Sequence, residues 1–213
     1  MTQNPSPRLT PNELQDITSR TLNHYESNAA AFWEGTHDHD VTQNYAALLD
    51  ALPATPGLRL LDFGCGPGRD LKYFKSLGHD PVGVEGSPAF CAMARAHSGC
   101  EVWEQDFLNL NLPPETFDGI FANASLFHVP SQELVRVLKE LRHTLKPQGV
   151  LFSSNPRGGT EGWSGDRYGT YLEWDAYRPI LESCGFTPLS HYYRPPGLPR
   201  EQQHILAAVC RRN

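Results

Sequence analysis

No run of 18 or more apolar residues occurs in the chain, so a membrane-spanning helix is not expected. The opening MTQNPSPRLTPNELQ also lacks an apolar core of signal-peptide length, which sets the expectation of a soluble, cytoplasmic protein. Cysteines are few and scattered: Cys65, Cys91, Cys100, Cys184 and Cys210 are odd in number and form no C-x-x-C pair. That argues against a disulfide framework or a zinc ribbon and for reduced thiols. Positive charge is in short supply, with 18 Lys and Arg against 24 Asp and Glu and a formal net charge of -6. A polyanionic nucleic-acid partner is therefore disfavoured. There is no internal repeat and no low-complexity tract, only a proline-rich first dozen residues expected to fray.

What is present is an alternation of helix-like and strand-like segments. Leu14, Ile17, Leu22, Tyr25 and Phe32 recur at loose helical spacing and predict a helix over 11–33, with another over 45–52. Residues 58–63 read as a short buried strand running into the turn Gly64-Cys65-Gly66-Pro67-Gly68 and then a helix over 71–77. Strands over 81–85, 101–103, 119–122 and 150–153 follow, with helices over 88–97 and 132–145 between them. The rhythm predicts an α/β fold with a doubly wound, mostly parallel seven-stranded sheet and helices on both faces. After a helix over 174–183, the runs 189–193 and 205–210 have no crossover helix between them and predict a C-terminal antiparallel hairpin.

A glycine-rich turn between a first strand and a helix is a place where backbone approaches a ligand. The spacing here is G-x-G-x-G; a dinucleotide fingerprint would put its third glycine where Arg69 stands. Taken alone the turn says little. It gains meaning from Asp62 before it, Glu85 ending the second strand and Gln105-Asp106-Phe107 closing the third. In this ordered set the chain resembles the class I S-adenosylmethionine-dependent methyltransferases from Leu58 to at least Phe152, with the terminal hairpin extending the likeness. The stretch Leu145-Lys146-Pro147-Gln148-Gly149 is similar to the family's turn before the fifth strand, with Gln148 in place of a glycine.

The resemblance implies a Rossmann-like methyltransferase fold and S-adenosyl-L-methionine as cofactor. It also implies a single domain, with a helical lid at 1–53, a cofactor-binding core at 58–153, a substrate-loop insertion at 154–172 and a C-terminal helix and hairpin at 173–213. Asp62, Gly64, Cys65, Gly66 and Gly68 are implied at the methionine and ribose, Glu85 and Gly86 at the ribose hydroxyls, and Asp106 with Phe107 at the adenine. Asn123 ends the fourth strand, which is implied to face the transferred methyl. Read residue by residue, Glu85 could instead be a solvated strand end, Asp106 a cap and Cys65 a small packing residue. His128, just past the fourth strand, is a candidate base; its alternative is a histidine hydrogen-bonded behind the cofactor or capping the next helix.

Substrate specificity is sought in what is added to the sheet. Arg157, Arg167 and Arg194, interleaved with Trp163, Tyr168, Tyr171, Tyr192 and Tyr193, suit a small polar acceptor bearing a carboxylate. Tyr25, Trp33, His37 and His39 are expected to reach the same acceptor from the lid. The segment His37-Asp38-His39-Asp40 has ligand chemistry, but neighbours in a short turn point different ways, so no metal is expected. It reads as a lid turn in which Asp40 caps the next helix and His39 is a further catalytic candidate. The expected activity is methyl transfer to a nitrogen, sulfur or oxygen of a small metabolite. A protein or tRNA methyltransferase and a non-catalytic cofactor-binding protein are the alternatives; no nucleic-acid or membrane partner is expected.

Overall fold

The computed structural model describes residues 8–213. The fraying expected of the first dozen residues falls partly on residues 1–7, outside the described residues. Beyond them the chain is ordered by a capping box: Thr10 Oγ1 accepts from Glu13 N, while the Glu13 carboxylate accepts from Thr10 N. The helix predicted over 11–33 is two helices, α1 (Pro11–Ser27) and α2 (Ala29–Thr36). They part at Asn28, whose backbone leaves helical geometry at φ -117° and ψ 17° and whose side-chain amide donates to His24 O. The next helix, α3 (Thr42–Leu49), begins three residues earlier than predicted. It belongs to the core more than to a lid: Tyr45 and Leu48 are buried against Phe74 and Phe121.

The centre is built from β1 (Arg59–Phe63), α4 (Arg69–Ser76), β2 (Asp80–Glu85), α5 (Pro88–Ser98), β3 (Glu101–Glu104) and β4 (Phe117–Asn123). It continues through α6 (Ser131–Thr144), β5 (Leu145–Pro156), the short β6 (Glu161–Ser164) and β7 (Arg167–Thr170), α7 (Trp174–Ser183), β8 (Phe186–Arg194) and β9 (Ile205–Arg212). The seven-stranded sheet runs β3-β2-β1-β4-β5-β9-β8, parallel from β3 to β5 and antiparallel through β9 and β8. Consecutive apolar residues in the middle strands feed opposite faces, which is why these strands read as unbroken apolar runs. Leu61, Ile120 and Leu151 face the side covered by α6 and α7, whereas Leu60, Phe121 and Phe152 face α3 and Phe74 of α4.

The segment expected as a long loop after the fifth strand contains a two-stranded hairpin, β6 with β7. Docking on α1 holds it in place. Tyr168 N donates to Thr21 Oγ1, Arg20 pairs with Asp166 at 2.8 Å, and the Arg20 guanidinium lies 4.3 Å over the Trp163 ring. The lid helices are tied down elsewhere: Glu26 of α1 accepts from Ser87 Oγ and Ala89 N at the start of α5, adding a second acceptor to the Ser87 cap.

Gly68 is where α4 meets α5. Its φ of +90° lies in the left-handed region, and an added Cβ would stand 2.7 Å from Ala94 Cα. Gly68→Ala is expected to lower stability by about 2–4 kcal/mol, combining backbone strain with overpacking against another backbone. Chemical denaturation of the two proteins measures it; a loss under about 0.5 kcal/mol would mean that the α4–α5 contact tolerates the methyl.

Candidate active site

The sheet reverses its winding between β1 and β4, and a cavity of about 580 Å³ lies over the carboxyl ends of the strands at that point. Its floor runs from Asp106 after β3, past Glu85, Gly64 and Gly66, to Asn123 and Ser154 at the ends of β4 and β5. Its roof is α1 and α2, through Thr21, Tyr25, Phe32, Trp33 and Thr36.

The glycine turn is internally satisfied. Gly64 N and Cys65 N both donate to Val84 O, Gly66 N donates to Glu85 Oε2 at 3.0 Å, and Gly68 N donates to Cys65 O. With Pro67 lacking an N–H, the turn offers no spare donors for a diphosphate and presents bare backbone instead. Gly66, at φ +50°, has its missing Cβ directed into open space, with nothing nearer than the Phe32 ring at 3.9 Å. Glu85 is 7% exposed and also accepts from Ser87 N at 2.9 Å. Burial raises its pKa, and the N–H groups of Ser87, Gly66 and Gly86 oppose the shift.

Two buried oxygens here have no partner among the described residues: Ser125 Oγ, on a residue that lines the cavity, and Asp62 Oδ2. Asp62 lies below the turn and does not line the cavity; burial first, then Asp70, holds its pKa well above the usual carboxylate range. Gly68 likewise sits off the cavity, at the helix contact described above. Cys65 lines the floor, and burial first, then Asp62, keeps it a thiol. Asp106 lines the cavity while its carboxylate accepts from Leu108 N and Asn109 Nδ2, the local capping geometry weighed for it. Phe107 stacks on Phe63 with centroids 4.2 Å apart and forms the adjoining wall.

At the other end, His128 is gripped at both nitrogens. Its Nδ1 lies 2.7 Å from Tyr168 O, which can only accept, so Nδ1 carries the proton and Nε2 accepts from the Tyr25 hydroxyl at 2.7 Å. Burial lowers its pKa to about 4. Asn123 is gripped as well: its Oδ1 accepts from Asn44 Nδ2, and Asn44 Oδ1 accepts from Tyr192 OH. The Asn123 amide N–H groups have no other partner among the described residues.

The substrate candidates divide into those that reach the cavity and those that do not. Tyr25, Trp33, His37, His39, Arg167 and Arg194 line it. Arg157 does not: its guanidinium is occupied by both oxygens of Glu173 at 2.7 Å and by the carbonyls of Gln203 and Arg200. Trp163 is 40% exposed under Arg20, and the Tyr168 hydroxyl donates to Glu161, away from the cavity. Tyr192 acts at one remove, through Asn44. In the lid turn, Asp40 Oδ1 accepts from Thr42 N one residue before the nominal cap position Val41. Among the described residues no group of three His, Cys, Asp or Glu is arranged to hold a metal ion.

Sequence reasoning passed over Ser125, Asn44, Arg69 and Phe90. Arg69 matters because its guanidinium links Asp70 to Thr36 O, fastening the end of α2 to the glycine turn. Nothing local marks Asn44; its partner is 79 positions away.

Residues 61–153 match the methyltransferase domain family. Trans-aconitate 2-methyltransferase of Escherichia coli strain SE11 is 36% identical over 112 residues, 51% of this chain and 43% of that protein. Malonyl-[acyl-carrier protein] O-methyltransferase of Pectobacterium atrosepticum is 33% identical over 105 residues, 49% of this chain and 41% of that protein. The match thus covers less than half the length of either relative. Among solved structures, a Burkholderia thailandensis 1,6-didemethyltoxoflavin-N1-methyltransferase with bound S-adenosylhomocysteine superimposes with a TM-score of 0.78 at 20% identity, over 99% of this chain and 93% of that one. Residues 61–153 are thus matched as a methyltransferase domain, and the fold is shared with solved S-adenosylmethionine-dependent methyltransferases.

A histidine whose folded pKa lies below its unfolded value of about 6.5 binds fewer protons when folded, so stability falls as pH drops from about 6.5 towards 4. Relative to His128→Gln, the parent is expected to lose roughly 2–3 kcal/mol across that window, since each tenfold change in proton affinity is worth about 1.4 kcal/mol. Parallel denaturation curves at pH 4.5 and 7 would refute the buried neutral imidazole.

Proposed function

We propose that this chain transfers a methyl group from S-adenosylmethionine to a small polar acceptor bearing a carboxylate. The observation that carries the reading is the division of charge along one cavity. Glu85 and Asp106 line it at the carboxyl ends of β2 and β3, and Arg167 and Arg194, neither in an ion pair among the described residues, line it from β7 and β8, with Asp40 beside Arg194. The cofactor is cationic overall and suits the acidic half; a carboxylate suits the basic half.

The residues at the acidic end fit the cofactor on their own chemistry. Glu85 has acceptor capacity for vicinal hydroxyls beyond the backbone N–H groups it already meets. Gly64, Gly66 and Gly86 present backbone without side chains, Phe107 offers a flat wall, and the unpartnered Asp62 and Ser125 oxygens give polar depth below the turn. When bound, S-adenosylmethionine supplies an activated sulfonium methyl. The chain then has to align the acceptor and keep water out, and α1 and α2 close the roof for that purpose. Asn123 presents N–H donors beside the reacting region, and Tyr25 and His128 form a fixed wall there. His37 and His39, at the mouth, guide the acceptor.

Two relatives whose names specify trans-aconitate and malonyl-[acyl-carrier protein] favour an acceptor with carboxylates. The roofed cavity and the net charge of -6 favour a small acceptor over a polynucleotide. Incubation with labelled S-adenosylmethionine and separate pools of small carboxylates, amines, tRNA and lysate protein decides the matter, with label expected in the carboxylate pool. Label in none of them, with tight cofactor binding, would support a non-catalytic binding protein.

Glu85→Ala removes the acceptor for two ribose hydroxyls and is expected to weaken S-adenosylhomocysteine binding by about 2–4 kcal/mol. Titration calorimetry measures it, and unchanged affinity in a folded variant would overturn the ribose assignment.

A further inference from the structure

The basic end of the cavity is more specific than a preference for anions. Arg167 opens β7, the second strand of the hairpin docked on α1, and each carboxylate of that hairpin is already committed. Glu161 accepts from Tyr168 OH and Ser131 N, and Asp166 is held by Arg20. Arg167 therefore lines the cavity with no carboxylate partner among the described residues, beside the Tyr25 hydroxyl, whose pKa it pulls down against the larger opposing effect of burial. Arg194 forms no ion pair among the described residues, but its Nη2 donates to the carbonyl of Asp40, whose carboxylate accepts from Thr42 N through Oδ1; Thr42 holds the pKa of that carboxylate down, and the guanidinium is near enough to help.

The same end lacks an available proton acceptor on the sheet. An ammonium, alcohol or thiol must lose a proton to be methylated, so it needs a base within reach. The His128 imidazole gives its Nδ1 proton to Tyr168 O and has Nε2 filled by Tyr25 OH. The Asn123 amide is not basic, and its oxygen is occupied by Asn44. Among the described residues lining this end, His37, His39 and the second carboxylate oxygen of Asp40 remain, all on the solvent-exposed lid turn. A carboxylate arrives ionised and asks for no base.

Resting on the methyl-transfer reading above, we infer that the accepting atom is itself a carboxylate oxygen and that the product is a methyl ester. An oxygen lone pair of the acceptor forms the new O–C bond to the methyl carbon. The S–C bond breaks with its electron pair staying on sulfur, which becomes a neutral thioether. No proton is taken up or released. Arg167 orients the carboxylate, bidentate geometry being the natural match of guanidinium to carboxylate.

The test begins with binding in the absence of turnover. Purified protein saturated with S-adenosylhomocysteine is titrated with succinate, fumarate and trans-aconitate, and with succinamate as an analogue in which one carboxylate is an amide. At least one dicarboxylate or tricarboxylate is expected to bind, and Arg167→Gln to weaken it tenfold or more. Arg167→Lys should restore part of the loss, and S-adenosylhomocysteine affinity should stay within twofold in both variants. The second arm uses labelled S-adenosylmethionine with the acceptor found. A pH-stat should record no proton released per methyl transferred, and mild base should free the label as methanol. One proton per turnover with base-stable label overturns the inference while leaving methyl transfer intact, as does a panel without binding or an Arg167→Gln variant that binds as the parent does. Failure of the parent to bind S-adenosylhomocysteine at all would instead strike the methyl-transfer reading.

Discussion

A buried carboxylate must be met by donors, and at the end of β2 the donors are the chain's own amides. Glu85 takes Gly66 N from the glycine turn and Ser87 N from the start of α5, so one side chain joins β1, β2 and α5 at a single point. The turn's other N–H groups are closed on Val84 O and Cys65 O. The result is a floor of bare backbone with an acidic group beside it, in place of the ring of free amides that a diphosphate needs. Much of the cavity's chemistry follows from that exchange.

The roof depends on contacts of the same kind over much longer sequence distances. Glu26 reaches the start of α5, Thr21 receives the amide of Tyr168, Tyr25 reaches His128, and Arg69 holds the last carbonyl of α2. Each bond stabilises only modestly. Together they set the lid on the sheet. The position of the lid is in that sense a balance among several small terms.

Burial and charge act together where His128 and Arg167 meet the cavity. The imidazole is neutral because solvent is excluded and a carbonyl holds its one proton, while the nearby guanidinium stays uncompensated because its hairpin neighbours have partners of their own. A site of this kind orients an anion better than it moves a proton.

The strand, glycine turn and helix from Arg59 to Ser76, and the alternation that follows, could be read in the sequence because they rest on neighbours a few residues apart. Apolar runs mark strands buried on both faces, and glycines mark positive φ. Glu85 and Asp106 were legible for the same reason, each standing at a strand end. The division of Asn28 from its helix and the hairpin inside 154–172 were not, since an asparagine is common within helices and the short strands form only by docking on α1. Nor could composition separate Arg157 from Arg167: both lie among glycines and aromatics, yet Glu173 claims the first and, among the described residues, no carboxylate claims the second. The pairing of Tyr25 with His128 spans 103 positions, and that of Asn44 with Asn123 spans 79. Sequence by itself determined the sheet, its winding and the acidic floor of the cavity, through short-range patterns of burial and backbone freedom. Tertiary structure alone decided which cations and imidazoles face the cavity, because a side chain's partner depends on where distant elements come to rest.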